Sequence, residues 1–351
     1  MNRTVNLISH QSGPSITFPE RISTENDAEQ LYAACKGLSP DEETINRILG
    51  HRTQRQRHEI REAFQRRYKK DLVNVLASST RGDYESLIKT LFRGNLQILA
   101  HDLYKGMKGF GTNSDVLNEI ICCCNNSEIH MLKKAYQEVL YEEEPKKADH
   151  RSLEGDILKE TKPPYEQLLV ALLQGNRDED PPELVEEALR TRNTSRLVNR
   201  NQVEKDVEDL YYAGEKRAGK GDSDTFIKIL TKRSKFHMKE IWDLYLSVKI
   251  QLYIGGVYIK KFSEPFKSGL NTMIMALKDL RLLLVCQLYD SMYGLGTRED
   301  TLIRIVCLRC ENDMNTLKSM YREFFGKPLI EAVREDTSGD FRKLLLALLG
   351  E

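Results

Sequence analysis

Met292-Tyr293-Gly294-Leu295-Gly296-Thr297 lies between two segments of helical apolar period, and Glu335-Asp336-Thr337-Ser338-Gly339-Asp340 opens the last helical segment of the chain. Two glycines separated by one residue permit a turn tight enough to aim backbone carbonyls outward at one spot. Thr297 has a helix-capping side chain, so a helix is expected to start there. Asp336 stands 42 positions after Gly294, so only tertiary structure can bring its carboxylate to that turn. Outward carbonyls plus one carboxylate are hard oxygen donors. Such a set suits Ca2+ and leaves coordination places for other oxygens. A single Gly-x-Gly-Thr also serves as an ordinary joint between antiparallel helices, so recurrence decides between the two readings.

The joint recurs. Lys36-Gly37-Leu38-Ser39-Pro40, Met107-Lys108-Gly109-Phe110-Gly111-Thr112 and Arg217-Ala218-Gly219-Lys220-Gly221 stand at related places, and Gly37, Gly109, Gly219 and Gly294 are 72, 110 and 75 positions apart. Apolar residues around each joint fall at helical spacing, as in Ile60, Phe64 and Tyr68, or Met238, Ile241, Trp242 and Tyr245. The first unit reads as five helices. They start at Asp27, at Pro40 (in a first turn, where its missing N–H costs nothing), and then cover 54–68, 71–77 and 83–92.

The expected fold is therefore all-α: four homologous five-helix repeats behind a short flexible N-terminal tail. Its expected parts are a tail at 1–22, repeats at 23–95, 96–175, 201–276 and 277–351, and an extended linker at 176–200. Residues 253–259 are rich in β-forming types but fall where a fourth helix is due, and are read as helix. The long second interval has two sources: an acidic-then-basic insertion at 141–150, and the linker, with an extra helix over 181–190. That helix can bury few side chains, so the linker reads as a charged spacer.

Lysine plus arginine and aspartate plus glutamate both number 53, so the formal net charge is zero. The chain as a whole has no electrostatic pull toward nucleic acid or anionic lipid, and nucleic acid is not expected as a partner. Seven cysteines, three of them adjacent at Cys122-Cys123-Cys124, fit buried reduced thiols better than a disulfide framework. The single CxxC, Cys307 to Cys310, has no second pair at zinc spacing. Residues 1–22 lack the apolar core of a secretory signal, and no apolar run reaches the ~20 residues of a membrane span. No Walker, EF-hand, dinucleotide or nucleophile-elbow motif is present, so no enzyme is expected.

With these residues in view, the chain resembles the annexin family over about residues 23–351. The resemblance rests on Met107-Lys108-Gly109-Phe110-Gly111-Thr112 and on Asp336 within Glu335-Asp336-Thr337-Ser338-Gly339. It implies a fold of four five-helix repeats that binds Ca2+ and, through it, acidic phospholipid membranes. It also implies a ligand set. In repeat four, Met292, Gly294 and Gly296 would offer carbonyls and Asp336 the carboxylate. In repeat two, Met107, Gly109 and Gly111 would do so, with Glu160 as the acid, displaced by the inserted loop. Repeat one departs from the pattern, with Ser39 for the second glycine and Ser79 where the acid falls. Repeat three has an extra loop residue, Phe266 near the acid position and Glu264 two places off. Arg52, Arg233 and Arg309 end second helices, where the family's arginines join polar contacts; repeat two has Cys124 instead.

The expected function is reversible, Ca2+-dependent docking on acidic phospholipid by a cytoplasmic protein. Surface exposure by unconventional secretion, a homodimer, and a protein partner at the tail or at 176–200 stay open. Two alternatives remain: a helical-repeat scaffold for protein partners, or polyanion binding (glycosaminoglycan or RNA) through the basic helix 52–70.

Overall fold

Short polar side chains set the helix starts. Ser23, Asp41, Thr53 and Asp71 each accept a hydrogen bond from a backbone N–H of the following turn, and so open α1 (Thr24–Ala34), α2 (Glu42–Leu49), α3 (Gln54–Tyr68) and α4 (Leu72–Ser79). Such caps satisfy N–H groups that a helix start leaves orphaned, and each contributes about 1 kcal/mol. Helix α5 (Gly82–Leu91) completes the first group. A second group follows: α6 (Asn95–Met107), α7 (Ser114–Ile121), α8 (Asn126–Glu143), α9 (Leu153–Glu160) and α10 (Tyr165–Leu173). Helix α11 (Pro182–Thr191) lies in the linker.

Next come α12 (Arg200–Ala213), α13 (Ser223–Lys232), α14 (Lys235–Val248) and α15 (Phe266–Met292). Extended backbone at Asp279 breaks α15 into two helices. The last are α16 (Glu299–Arg309), α17 (Met314–Phe325), α18 (Leu329–Asp336) and α19 (Gly339–Leu348). This computed structural model describes residues 13–37, 39–109, 111–248, 261–294 and 296–351, and no strand occurs among them. The all-α expectation is borne out. The expected helix over 253–259 lies outside the described residues.

Two compact units result. One spans Leu99–Leu280; the other joins the described residues from Gly13 to Ile98 with Arg281–Glu351. In the second unit α1 packs on α2 and α3, while α19 packs on α2 and α5. Leu31, Ile45, Ile48, Ile60, Phe64, Leu344 and Leu348 are fully buried there. Each such side chain removed from water contributes roughly 1.5–3 kcal/mol, which is why distant quarters of the chain share one core. In the first unit α12 packs on α13 and α14, and α10 packs on α7, α9 and α13.

Several local expectations change. Pro40 precedes the cap Asp41 and stays outside α2, because the Asp41 carboxylate takes the capping place. The insertion does not begin as a loop at 141: α8 continues to Glu143, and only then does the chain turn, with a short 3-10 segment at Ala148–His150. The described part of the tail is held down. The backbone N–H groups of Ser15 and Ile16 donate to the Cys310 carbonyl, the Ser15 hydroxyl donates to Leu348, and Gln56 donates to the Pro19 carbonyl. The linker is fixed too. Asn126 donates to the Arg177 carbonyl and to Glu179, and Asp180 accepts from the Ser234 hydroxyl and the Phe236 N–H. All seven cysteines are unbridged. Burial pushes the Cys122 and Cys310 thiols up to about 12, so both are neutral at neutral pH.

Candidate functional site

The four joints are closed by one kind of bond. The N–H of Asp41, Asn113 and Arg298 donates to the carbonyl seven residues back, on Ala34, Gly106 and Ser291, at 2.7–2.8 Å. Asp222 makes the matching bond to Ala213 across nine residues, so loop three is two residues longer. Loops one to four are taken as the segments between α1 and α2, α6 and α7, α12 and α13, and α15 and α16.

Loops two and four share a backbone that loops one and three lack. Gly109 and Gly111 have φ of +107° and +85°; Gly294 and Gly296 have +106° and +86°. L side chains rarely adopt such angles, which is the physical reason for a glycine pair. A Cβ at any of the four would meet nothing within 4 Å, so backbone conformation rather than crowding demands glycine, and the loops face open space. Among the described residues of loop one only Gly37 has positive φ, and Ser39 is not left-handed. In loop three Gly219 has φ +80°, but Gly221 is kept small by Phe262, 2.5 Å from where its Cβ would lie.

A threonine ties the residue expected to supply the remote acid to each glycine-pair loop, through its backbone in loop two, where the Glu160 carboxylate pairs with Lys159 at 3.2 Å, and through its carboxylate as well in loop four. The Thr112 hydroxyl donates to the Glu160 carbonyl at 2.9 Å. The Thr297 hydroxyl donates to Asp336, at 2.6 Å to a carboxylate oxygen and 3.2 Å to its carbonyl. Thr297 is therefore not the helix cap that its position suggests; Arg298 holds the cap position, without a side-chain bond. The threonine ties the C-terminal end of α9 or α18 to its loop, and in loop four it also holds the carboxylate. Sequence alone hides this role, because Thr before a helix reads as a cap and the true partner is 39 residues away.

At the other two joints the place expected for the remote acid holds Ser79 or Phe266, although Glu42, Asp83 and Asp340 also line the cleft at the first. The Ser79 hydroxyl donates back to the Val75 carbonyl, and Gly37, Ser39 and Ser79 line an open cleft of about 710 Å³. Phe266 is buried, and the Glu264 carboxylate accepts from the Ser268 N–H at the start of α15. Among the described residues no three His, Cys, Asp or Glu side chains gather as a metal cluster. A cation at loops two and four would draw on backbone oxygens and one acid. That all-oxygen set matches a hard ion such as Ca2+ and is unsuited to a thiolate- or imidazole-seeking metal.

The sequence model named Annexin matches residues 26–91, 99–172 and 285–348. This chain belongs to the annexin family. It is 37% identical to annexin A13 of Schistosoma japonicum, over 96% of this chain and 94% of that one. It is also 37% identical to annexin A5 of Gallus gallus, over 96% and 97% of the two chains. Among solved structures, chicken annexin V superposes with a TM-score of 0.82 at 34% identity, covering 97% of this chain and all of that one. Calcium-bound annexin (Sm)1 gives 0.77 at 31% identity, covering 99% and 96%. Ca2+-dependent phospholipid binding is a general property of the family.

For this annexin the threonine bond has a measurable consequence. Thr297→Val keeps the side-chain shape and deletes the donor. Freed from it, the Asp336 carboxylate is no longer held at the loop, so Ca2+ affinity in the presence of lipid should fall, and the lost bond should lower folding stability by up to roughly 1 kcal/mol. Calorimetric titration with Ca2+ and vesicles checks this.

Proposed function

We propose that this annexin docks on anionic phospholipid when Ca2+ rises, through ions held at loops two and four. Met107, Gly109 and Gly111 with Glu160, and Met292, Gly294 and Gly296 with Asp336, are the proposed ligands. We likewise assign the four repeats to 23–95, 96–175, 201–276 and 277–351. When bound, Ca2+ links these protein oxygens to a phosphate oxygen of a headgroup, because six to eight ligand places exceed what one loop supplies. One carboxylate per loop gives weak affinity without lipid. Weak contacts at two loops then combine as avidity. The reading is carried by loop four, where Thr297 ties the Asp336 carboxylate to the glycine pair at 2.6 Å; in loop two Thr112 ties the Glu160 backbone carbonyl at 2.9 Å. A plain turn needs no such tie.

The basic helix does not favour the polyanion alternative. Arg52, Arg55, Arg57, Arg61, Arg66 and Arg67 all lie against carboxylates, of Asp27, Glu59, Glu311, Asp71, Glu25 and Glu29. No helix among the described residues is long and apolar enough to cross a membrane. Co-sedimentation with phosphatidylserine vesicles tests the proposal: the protein should pellet in Ca2+ and stay in the supernatant in EGTA. Equal pelleting in both would overturn it.

A further inference from the structure

The loops differ in what they carry where the preceding helix ends. In loop one the Lys36 ammonium sits over the Tyr32 ring at 4.3 Å, and in loop two Lys108 sits over Tyr104 at 4.9 Å. In the longer loop three, Lys216 sits over Tyr211 at 5.9 Å. Each pair seats a cation on an aromatic face near the end of the helix that precedes the loop. Loop four keeps the aromatic seat and changes its occupant. Tyr293 stacks on Tyr289, with ring centroids 5.1 Å apart and planes 23° apart. Tyr289 in turn stacks on Phe325 at 4.0 Å and 10°.

Tyr293 is also 71% exposed, the most of any large apolar side chain among the described residues. A phenol ring left in water forfeits the burial its area could gain, and among the described residues the stack on Tyr289 leaves most of it uncovered. Its neighbours in sequence are Met292 and Gly294, both proposed Ca2+ ligands. Any surface that meets an ion at loop four therefore meets this ring as well.

We propose that Tyr293 is a lipid-contacting element, a phenol that enters the glycerol and ester level of the bilayer beside the headgroup held at loop four. The partner is the phospholipid interface, because that layer offers apolar cover for a ring and acceptors for its hydroxyl together; tyrosine favours it for that reason. Three loops carry a ring-seated ammonium, that of Lys108 also 3.8 Å from Glu143, whereas the fourth offers affinity independent of lipid charge. Stacking on Tyr289 holds the ring before contact, which lowers the ordering cost. The inference rests on loop four docking at a membrane.

The test compares wild type with Tyr293→Ala, Tyr293→Lys and Tyr293→Trp on vesicles of phosphatidylcholine with a low or a high fraction of phosphatidylserine, at saturating Ca2+. Tyr293→Ala should bind about fivefold more weakly on both, the effect of returning part of one aromatic ring to water. Tyr293→Lys should approach wild type on the highly charged vesicles, lose binding as salt is raised, and stay weak on the poorly charged ones. Tyr293→Trp should gain emission that is quenched by lipids brominated on the acyl chain in Ca2+ but not in EGTA, above the Trp242 baseline of wild type. Tyr293→Ala binding like wild type, or Tyr293→Trp pelleting without quenching, overturns the inference and leaves the docking reading standing. Wild type failing to pellet in Ca2+ overturns both.

Discussion

Asp336→Ala should weaken Ca2+-dependent binding to anionic vesicles by on the order of tenfold or more, while Ser79→Ala should leave it unchanged. Asp336 supplies the only carboxylate that Thr297 ties to loop four, at 2.6 Å. Ligand charge sets Ca2+ affinity over several decades, so deleting the one anionic donor leaves a loop of neutral carbonyls that cannot displace the water shell as well. Ser79 occupies the corresponding place in repeat one, but its hydroxyl is committed to the Val75 carbonyl, and Ser39 interrupts the glycine pair. Calorimetry with Ca2+ and vesicles reads both variants. Equal behaviour of the two would sink the assignment of loop four, even if the protein still bound membranes through other residues.

What could be read from the chain was whatever repeats along it. Helix α3 falls at Gln54–Tyr68, where Ile60, Phe64 and Tyr68 mark its apolar stripe. The glycine pairs of loops two and four announce left-handed backbone, and the structure has it at all four positions. Features made by polar contacts were not legible, because a polar contact leaves no period. The linker looked like a charged spacer, yet Arg177, Glu179 and Asp180 are bonded to Asn126, Ser234 and Phe236. The stretch from Ser15 to Pro19 looked loose, yet it hydrogen-bonds to Cys310, Leu348 and Gln56. The last turn of α8 carries Glu142 and Glu143, which favour helix without adding to a stripe. The capping reading of Thr297 failed for a related reason: its partner is settled by tertiary structure, and local sequence offers only the nearer explanation.

The arginines at the ends of the second helices mark where the largest loss of stability is expected. Arg52 pairs with Asp27 at 2.8 Å and Arg233 with Asp206 at 2.6 Å, each acid on the helix before. Repeat four solves the problem differently. Arg309 pairs with Asp313, four residues on, at 2.6 Å, and both side chains are 0% exposed. The other oxygen of Asp313 accepts from Arg281 at 2.8 Å. One buried carboxylate thus serves two guanidinium groups. Asp313→Ala would leave the buried Arg309 charge without that carboxylate, and breaking a buried pair in this way costs roughly 3–5 kcal/mol. Arg309→Met should be milder, since Asp313 keeps Arg281 and a long apolar side chain refills the space. Asp313→Asn should fall between them, retaining an acceptor without the charge. Urea denaturation followed by far-ultraviolet circular dichroism orders the three. A loss under about 1 kcal/mol for Asp313→Ala would mean that the arginines find other acceptors, and that repeat four is held by its apolar core alone.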